Sequence, residues 1–190
     1  MARLGICIYV LLGSVLPIFG EVTQIMLNWQ AGLCSNACIQ ELEKQLKQIS
    51  SVQELRFNPS AGIATMRWST GATFWFAPFN TATRMVGIRL STIRVKVTGK
   101  VVQEGASFYL HSAGDSTRFR LIGPLKASLE NYTIQENIAN YPLSPQMIEQ
   151  LKEIANKKTS VVISGPLFEP NRLALILIVE DLRLETKPAQ

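Results

Sequence analysis

The stretch that decides the fold runs from residue 22 to residue 49 and reads VTQIMLNWQAGLCSNACIQELEKQLKQI. In its first part Ile25, Leu27 and Trp29 recur at every second position, which predicts a β-strand over Val22–Trp29. In its last part apolar residues recur every three or four positions, which predicts one face of a helix. Those residues are Ile39, Leu42, Leu46 and Ile49, and they follow the helix-capping residue types Ser35 and Asn36. The stretch therefore predicts a strand, a short loop that carries two cysteines, and an amphipathic helix.

Downstream, the patterns predict two further strands, a second helix and a fourth strand. We expect strands at Val52–Phe57, Ile63–Trp68 and Leu90–Val97, and a helix over Thr73–Val86 with Phe76, Phe79 and Met85 as apolar anchors. The resulting order is strand, helix, strand, strand, helix, strand. That order is typical of the split βαβ or ferredoxin-like arrangement. We therefore predict a ferredoxin-like βαββαβ domain over residues 21–97.

The second half predicts three strands, a helix and two more strands. They are Val95–Val102, Ser107–Leu110, Thr117–Ile122, a helix over Pro145–Lys157, and strands at Val161–Gly165 and Leu173–Leu182. This is the order of an OB-fold barrel. We expect a small five-stranded OB-like β-barrel over residues 98–185, which shares or abuts the first unit at 90–98, and a tail at 186–190. The predicted fold class is α+β.

Residues 1–20 are typical of a secretory signal peptide. Arg3 supplies positive charge, Leu4–Leu16 is almost entirely apolar, and Gly20 precedes the first acidic residue, Glu21. The pattern predicts cleavage after Gly20 and an exported protein, periplasmic or otherwise extracytoplasmic, that touches the membrane only through this segment. An uncleaved anchor is the alternative. Cleavage would remove Cys7 and leave Cys34 and Cys38.

Composition excludes several functional classes. The chain has 190 residues, of which 47% are hydrophobic and 17% charged, so it can bury a core. Its net charge of +5 is spread along the sequence, and we expect no nucleic-acid partner because those proteins cluster their basic residues. A single histidine, His111, argues against Ser-His-Asp chemistry and multi-histidine zinc sites. We predict that the protein is not an enzyme, and that His111 is a hydrogen-bonded structural residue.

The predicted hairpin at residues 107–122 carries aromatic and basic side chains of the kind that OB proteins stack on bases. These are Phe108, Tyr109, Arg118, Phe119 and Arg120. Strand alternation predicts that half of them face inward. We also expect Phe74, Trp75, Phe76 and Phe79 to pack in the core, with a partner-binding surface patch as the alternative.

The strongest chemical signal is the pair of cysteines at the start of the first helix. Free N–H groups and the positive end of the helix dipole favour the thiolate form there. Two thiolates can hold a soft ion such as Cu(I), Hg(II) or Zn(II), and zinc would need further ligands. Three interpretations remain open: a bound metal ion, a local disulfide in an oxidising compartment, and a degenerate pair without a role.

These residues resemble the heavy-metal-associated domains of copper chaperones, mercury-binding periplasmic proteins and metal-pumping ATPases. The family has a strand, then Gly-Met-Thr-Cys-x-x-Cys and a helix; this chain has Gly32-Leu33-Cys34-Ser35-Asn36-Ala37-Cys38. Cys38 matches the second family cysteine, Ser35 takes the place of the first, and Cys34 lies one position earlier.

The resemblance implies a ferredoxin-like fold, soft-metal binding or trafficking through Cys34 and Cys38, and a possible partner protein for metal handover. The alternative is a non-catalytic interaction module with a degenerate or disulfide-bonded cysteine pair. A thiol oxidoreductase is a third possibility, but its usual Cys-x-x-Cys spacing is not found in this sequence.

Overall fold

A computed structural model of the chain describes residues 21–30, 35–112, 114–125 and 137–185. Outside these residues lie the expected signal peptide at 1–20, Cys34 and the expected tail at 186–190. What the sequence predicts for them stays a prediction. No helix in the described ranges is both long enough and apolar enough to cross a membrane.

The fold is α+β, as the sequence predicts, with a large and mostly antiparallel sheet and three α-helices in the described ranges. The strands are β1 Val22–Trp29, β2 Val52–Asn58, β3 Ile63–Trp68, β4 Leu90–Glu104, β5 Ser107–Ser112, β6 Arg118–Ile122, β7 Ser160–Pro166, β8 Leu175–Ile178 and β9 Asp181–Leu184. The helices are α1 Asn36–Lys47, α2 Ala77–Met85 and α3 Pro145–Lys157.

The strands follow the order β2-β3-β1-β4-β5-β6-β8, while β7 pairs with β4 and β9. β1 lies antiparallel between β3 and β4. The long strand β4 pairs with β1 along its first part and with β5 along its last part, and Arg94–Lys100 pairs with β7 on the other edge. β4 is therefore continuous across the boundary that the sequence predicts between residues 97 and 98.

The core is a continuous hydrophobic cluster that draws residues from both halves of the described chain. Ile25 and Leu27 of β1 are fully buried, as alternation predicts. Helix α1 buries Leu42 and Leu46 against the sheet, and α3 buries Leu151 and Ile154. A smaller cluster forms around Tyr141 and Phe168 with Ile122, Ile176 and Ile178.

Helix α2 begins at Ala77 and not at Thr73, so the predicted start is wrong. The Phe74 N–H donates to Thr117 Oγ1 at 2.9 Å, and the Trp68 indole N–H donates to the Ala72 carbonyl at 2.9 Å. These bonds tie the preceding segment to other parts of the fold, and Pro78 then lies in the first turn, where proline is tolerated. The predicted anchor Met85 is 66% exposed.

The single strand predicted over Leu173–Leu182 is also wrong, because the chain changes pairing partners within it. β8 runs parallel to β6, whereas β9 runs antiparallel to β7. Between them the Val179 N–H donates to the Ile122 carbonyl and the Glu180 N–H to the Ser164 carbonyl. Leu173, which the prediction counted in the strand, is fully exposed.

Candidate functional site

Cys38 lies in the first turn of α1, in a position set by Ser35. The Ser35 Oγ accepts a hydrogen bond from the Cys38 N–H at 3.4 Å, and the Ser35 carbonyl accepts one from the Ile39 N–H at 3.0 Å. Ser35 is therefore the N-cap, one of the two residue types that the sequence offers for it. The cap holds Cys38 at the positive end of the helix dipole.

The Cys38 sulfur is oxidised and faces the chain that connects α2 to β4. Cys38 is disulfide-bonded. The other cysteines of the sequence, Cys7 and Cys34, lie outside the described residues. Cys38 is half-buried, and its Sγ lies 3.5 Å from the Val86 carbonyl oxygen. Because a disulfide sulfur carries no hydrogen, this is a packing contact and not a hydrogen bond.

A cleft of 390 Å³ opens beside Cys38. Its walls are Trp29, Gln30 and the segment Val86–Ser91, and Arg89 is the only charged residue among the described lining. No carboxylate or imidazole from the described chain lines the cleft with the sulfur. Likewise, the described ranges contain no group of three or more His, Cys, Asp or Glu side chains able to hold a metal ion. A four-ligand zinc site at this corner would need ligands from elsewhere.

The second candidate region is the hairpin of β5 and β6. Its side chains alternate between a buried face and an outer face, as the sequence predicts. Phe108 and Phe119 are buried at 2% and 0% exposure, whereas Arg118 and Arg120 lie on the outer face. The Arg118 guanidinium lies 3.6 Å from the centroid of the Tyr109 ring. A base could reach that ring face only by displacing Arg118.

Arg118 also forms an ion pair with Glu104. Arg118 Nη2 and Glu104 Oε2 are 2.5 Å apart, and the two side chains are 42% and 46% exposed. Such an exposed pair contributes little free energy to stability. Part of the basic charge predicted on this hairpin is thus balanced within the chain.

Among the described strands, no cross-strand neighbour of His111 is of a kind that would make it a catalytic base. Its cross-strand neighbours are Lys100 on β4 and Arg118 on β6, which are both cations. The Nε2 atom is buried and has no hydrogen-bond partner within the described ranges. No carboxylate is in register with the imidazole to orient it.

Sequence reasoning missed a second cleft on the other side of the same connection. It has a volume of 610 Å³ and shares the segment Gly87–Ser91 with the cleft at Cys38. Arg84 and Arg89, which precede and follow Gly87 in the sequence, both line this second cleft. The only sequence signal was this pair of arginines around a glycine, which is too common a pattern to identify a site.

Comparison of the chain with protein-family models, curated proteins and solved structures finds no match. The chain's own residues therefore carry the functional interpretation.

Proposed function

We propose that the protein is an exported, non-catalytic binding module in which Cys34 and Cys38 form a local disulfide. The observation that carries this proposal is the oxidised state of Cys38, whose Sγ packs 3.5 Å from the Val86 carbonyl oxygen. A disulfide sulfur is not a thiolate, so the oxidised pair cannot act as a soft-metal clamp. The bond would instead staple the cysteine loop to the start of α1.

The proposed scaffold consists of a ferredoxin-like half and an OB-like half joined by β4. The order β1-α1-β2-β3-α2-β4 and the antiparallel arrangement β2-β3-β1-β4 support the first assignment. The OB-like assignment is supported by the later strands. β4, β5 and β6 form a meander, β7 returns to pair with β4 after α3, and β8 lies beside β6. A bridge between Leu167 and Leu177 links the end of β7 to β8, which supports a closed barrel.

The proposed binding role requires no acid–base arrangement, and His111 and the cleft at Cys38 are the two described places where one would be sought. The one histidine of the sequence lies between two cations, and the cleft at Cys38 has no acidic lining residue. Acid–base and nucleophilic catalysis need a titratable group held by an orienting partner, and neither site supplies one.

Thiol trapping tests the proposed disulfide. The protein is recovered from its own compartment without reductant, alkylated at once and analysed by mass spectrometry. We expect the peptide that contains Cys34 and Cys38 to be unalkylated and two hydrogens lighter than its reduced form. Reduction before alkylation is the control and should label both residues. Free thiols on both cysteines in the native sample would contradict the proposal, and an N-terminus at Glu21 would support export.

The second candidate function is binding and handover of a soft metal ion by the reduced pair. The position of Cys38 in the first turn of α1, beside an open cleft, favours it, because the helix dipole stabilises a thiolate there. Two thiolates alone suit near-linear Cu(I) or Hg(II) better than Zn(II). A partner protein would then receive the ion by ligand exchange.

A Cu(I) titration of the reduced protein against a competing chelator tests this second candidate. We expect one ion per chain, lost when Cys34 and Cys38 are both changed to serine. Ser35→Ala is the matched control, because it removes the cap oxygen and keeps both sulfurs. Stoichiometry that is unchanged in the double variant would eliminate metal binding at this corner.

A further inference from the structure

The 610 Å³ cleft lies where the two halves of the chain meet. One wall comes from α2 and the start of β4, and the other comes from the segment Leu167–Asn171 that follows β7. The Leu167 N–H donates to the Ile93 carbonyl at 2.8 Å, which ties the two walls together at the base. The volume is within the range of about 300–1,000 Å³ that small-molecule sites occupy.

The cleft carries positive charge that the described chain does not neutralise. Arg84 and Arg89 line it, and neither forms an ion pair with a described carboxylate. The one acidic lining residue, Glu169, is already paired with Arg172. Two guanidinium groups without acidic partners match the charge of a phosphomonoester, which arginine binds through paired hydrogen bonds.

The remaining lining combines uncharged polar groups with apolar walls. Asn80, Thr92 and Asn171 supply amides and a hydroxyl. Thr92 Oγ1 accepts a hydrogen bond from Asn28 Nδ2 at 2.8 Å, which fixes the hydroxyl oxygen and leaves its hydrogen to donate. Phe76, Ile88, Leu167 and Pro170 supply the apolar surface. Amides and hydroxyls beside apolar walls suit a molecule that has both hydroxyl groups and a ring.

We propose that this cleft binds a phosphorylated sugar. Its phosphate is held by Arg84 and Arg89, its hydroxyls bond to the amides and to Thr92, and its ring packs on the apolar walls. The inference deepens the proposed binding role and rests on it. Arg89 also lines the cleft at Cys38, so the two sites share one cation.

Titration by isothermal calorimetry and by amide NMR shifts tests the proposal on the full mature chain with its disulfide intact. The probes are a panel of hexose and pentose phosphates, the parent neutral sugars and inorganic phosphate. We expect saturable binding of at least one sugar phosphate, with shifts at Gly87–Ser91, and much weaker binding of its neutral parent. Arg84→Gln and Arg89→Gln should each weaken binding by about 10- to 100-fold, as expected for loss of charge-assisted hydrogen bonds.

Two further variants separate specific loss from misfolding. Arg84→Lys keeps the charge but loses the guanidinium fork, and should give an intermediate affinity. Arg56→Gln removes an exposed arginine of β2 that does not line the cleft, and should leave affinity unchanged.

Three outcomes would overturn the inference. These are no saturable binding by any sugar phosphate, binding that survives both arginine-to-glutamine variants, and inorganic phosphate binding as tightly as the sugar phosphates, which would leave an anion site only. The redox state of Cys38 is measured independently by thiol trapping. If Cys38 is oxidised and no sugar phosphate binds in the cleft, the sugar-phosphate inference is wrong, while the proposal of a binding module with a local disulfide stands.

Discussion

Gly165 of β7 packs directly against the carbonyl oxygen of Ile178, the last residue of β8. A Cβ atom placed on Gly165 would lie 1.8 Å from that oxygen, closer than any real contact. The chain changes partners from β6 to β7 immediately after Ile178, so this close approach holds the turn between β8 and β9 in place. Only glycine fits there, for reasons of space and not of backbone dihedral angle.

We therefore expect Gly165→Ala to destabilise the protein by at least the upper end of the roughly 1–3 kcal/mol typical of overpacking. Urea denaturation measures the change. The control is Gly105→Ala, where the added Cβ would meet nothing within 4 Å but φ is +59°. That variant should cost only about 1–2 kcal/mol of left-handed strain. Equal losses in the two variants would contradict the close approach.

Thr117 links the start of β6 to the segment before α2. Its Oγ1 accepts the Phe74 N–H at 2.9 Å, and both residues are buried. Thr117→Val keeps the shape but leaves that amide without its acceptor, so we expect a loss of about 1–3 kcal/mol. Hydrogen exchange at the Phe74 amide should speed up in parallel.

Thr83→Val is the matched control for this prediction. The Thr83 hydroxyl is also buried, but it donates to the Phe79 carbonyl within the same helix. That carbonyl lies in the helix, where backbone hydrogen bonding satisfies it, so the loss should be smaller. An equal or larger loss in Thr83→Val would show that the Phe74–Thr117 bond has no special role.

The proposed disulfide should stabilise the oxidised protein. A ring that joins Cys34 to Cys38 removes about 2 kcal/mol of chain entropy from the unfolded state in the loop-closure model. Reductant should therefore lower the stability of the wild-type chain by about that amount. It should have no effect on Cys38→Ser, which has no bond to reduce. An equal effect of reductant on both proteins would assign the stabilisation to something else.

Local signals made part of this structure predictable. The bounds of β1, β3 and α3 agree with the sequence prediction, because alternation, the Ser144 cap type and Pro145 act within a few residues. The start of α2 was not predictable, because it depends on a hydrogen bond between Phe74 and Thr117, 43 residues apart. The division of Leu173–Leu182 depends in the same way on two distant partner strands.

In the candidate site, too, local features were predictable from the sequence and contacts between distant residues were not. The sequence predicts that Cys38 opens a helix and offers Ser35 as its cap, and both features are local. The contact between the Cys38 sulfur and Val86 joins residues 48 positions apart, and no sequence motif indicates it. The clefts on the two sides of Gly87–Ser91 also depend on how α2 and the segment after β7 pack, so their arginines did not stand out.

Glu153 on α3 should have a pKa below the ordinary value of a glutamate. The hydrogen bond from Lys157 at 2.6 Å, and then the charge of Lys157, lower the pKa of Glu153 below its ordinary value. A carboxyl pKa that is lower in the folded state stabilises the fold above its unfolded pKa, and this contribution is lost as pH falls through the folded pKa. Lys157→Gln should return the pKa of Glu153 toward its ordinary value in an NMR titration of the carboxyl carbons.

Glu41 is the internal control for that titration. Its pKa is also lowered, first by the Gln45 side chain and then by Lys44, and all three residues lie on α1. Lys157→Gln should therefore leave the Glu41 titration unchanged. A shift of both carboxyls would point to a global change in the protein and not to the loss of one pair.

The aromatic side chains at the centre of the core predict that both halves of the chain unfold together. Phe119 of β6 lies 6.2 Å from Phe74, centroid to centroid, and Phe74 lies 5.6 Å from Trp68 of β3. The three tryptophans of the sequence are at positions 29, 68 and 75, so their fluorescence reports on the first half alone.

Phe119→Ala removes a fully buried ring from the second half and should cost about 3–5 kcal/mol. Because β4 and this cluster are shared, the tryptophan fluorescence midpoint in urea should fall together with the midpoint from far-ultraviolet circular dichroism. A fluorescence midpoint that stays at the wild-type value while the circular dichroism midpoint falls would mean that the halves unfold independently.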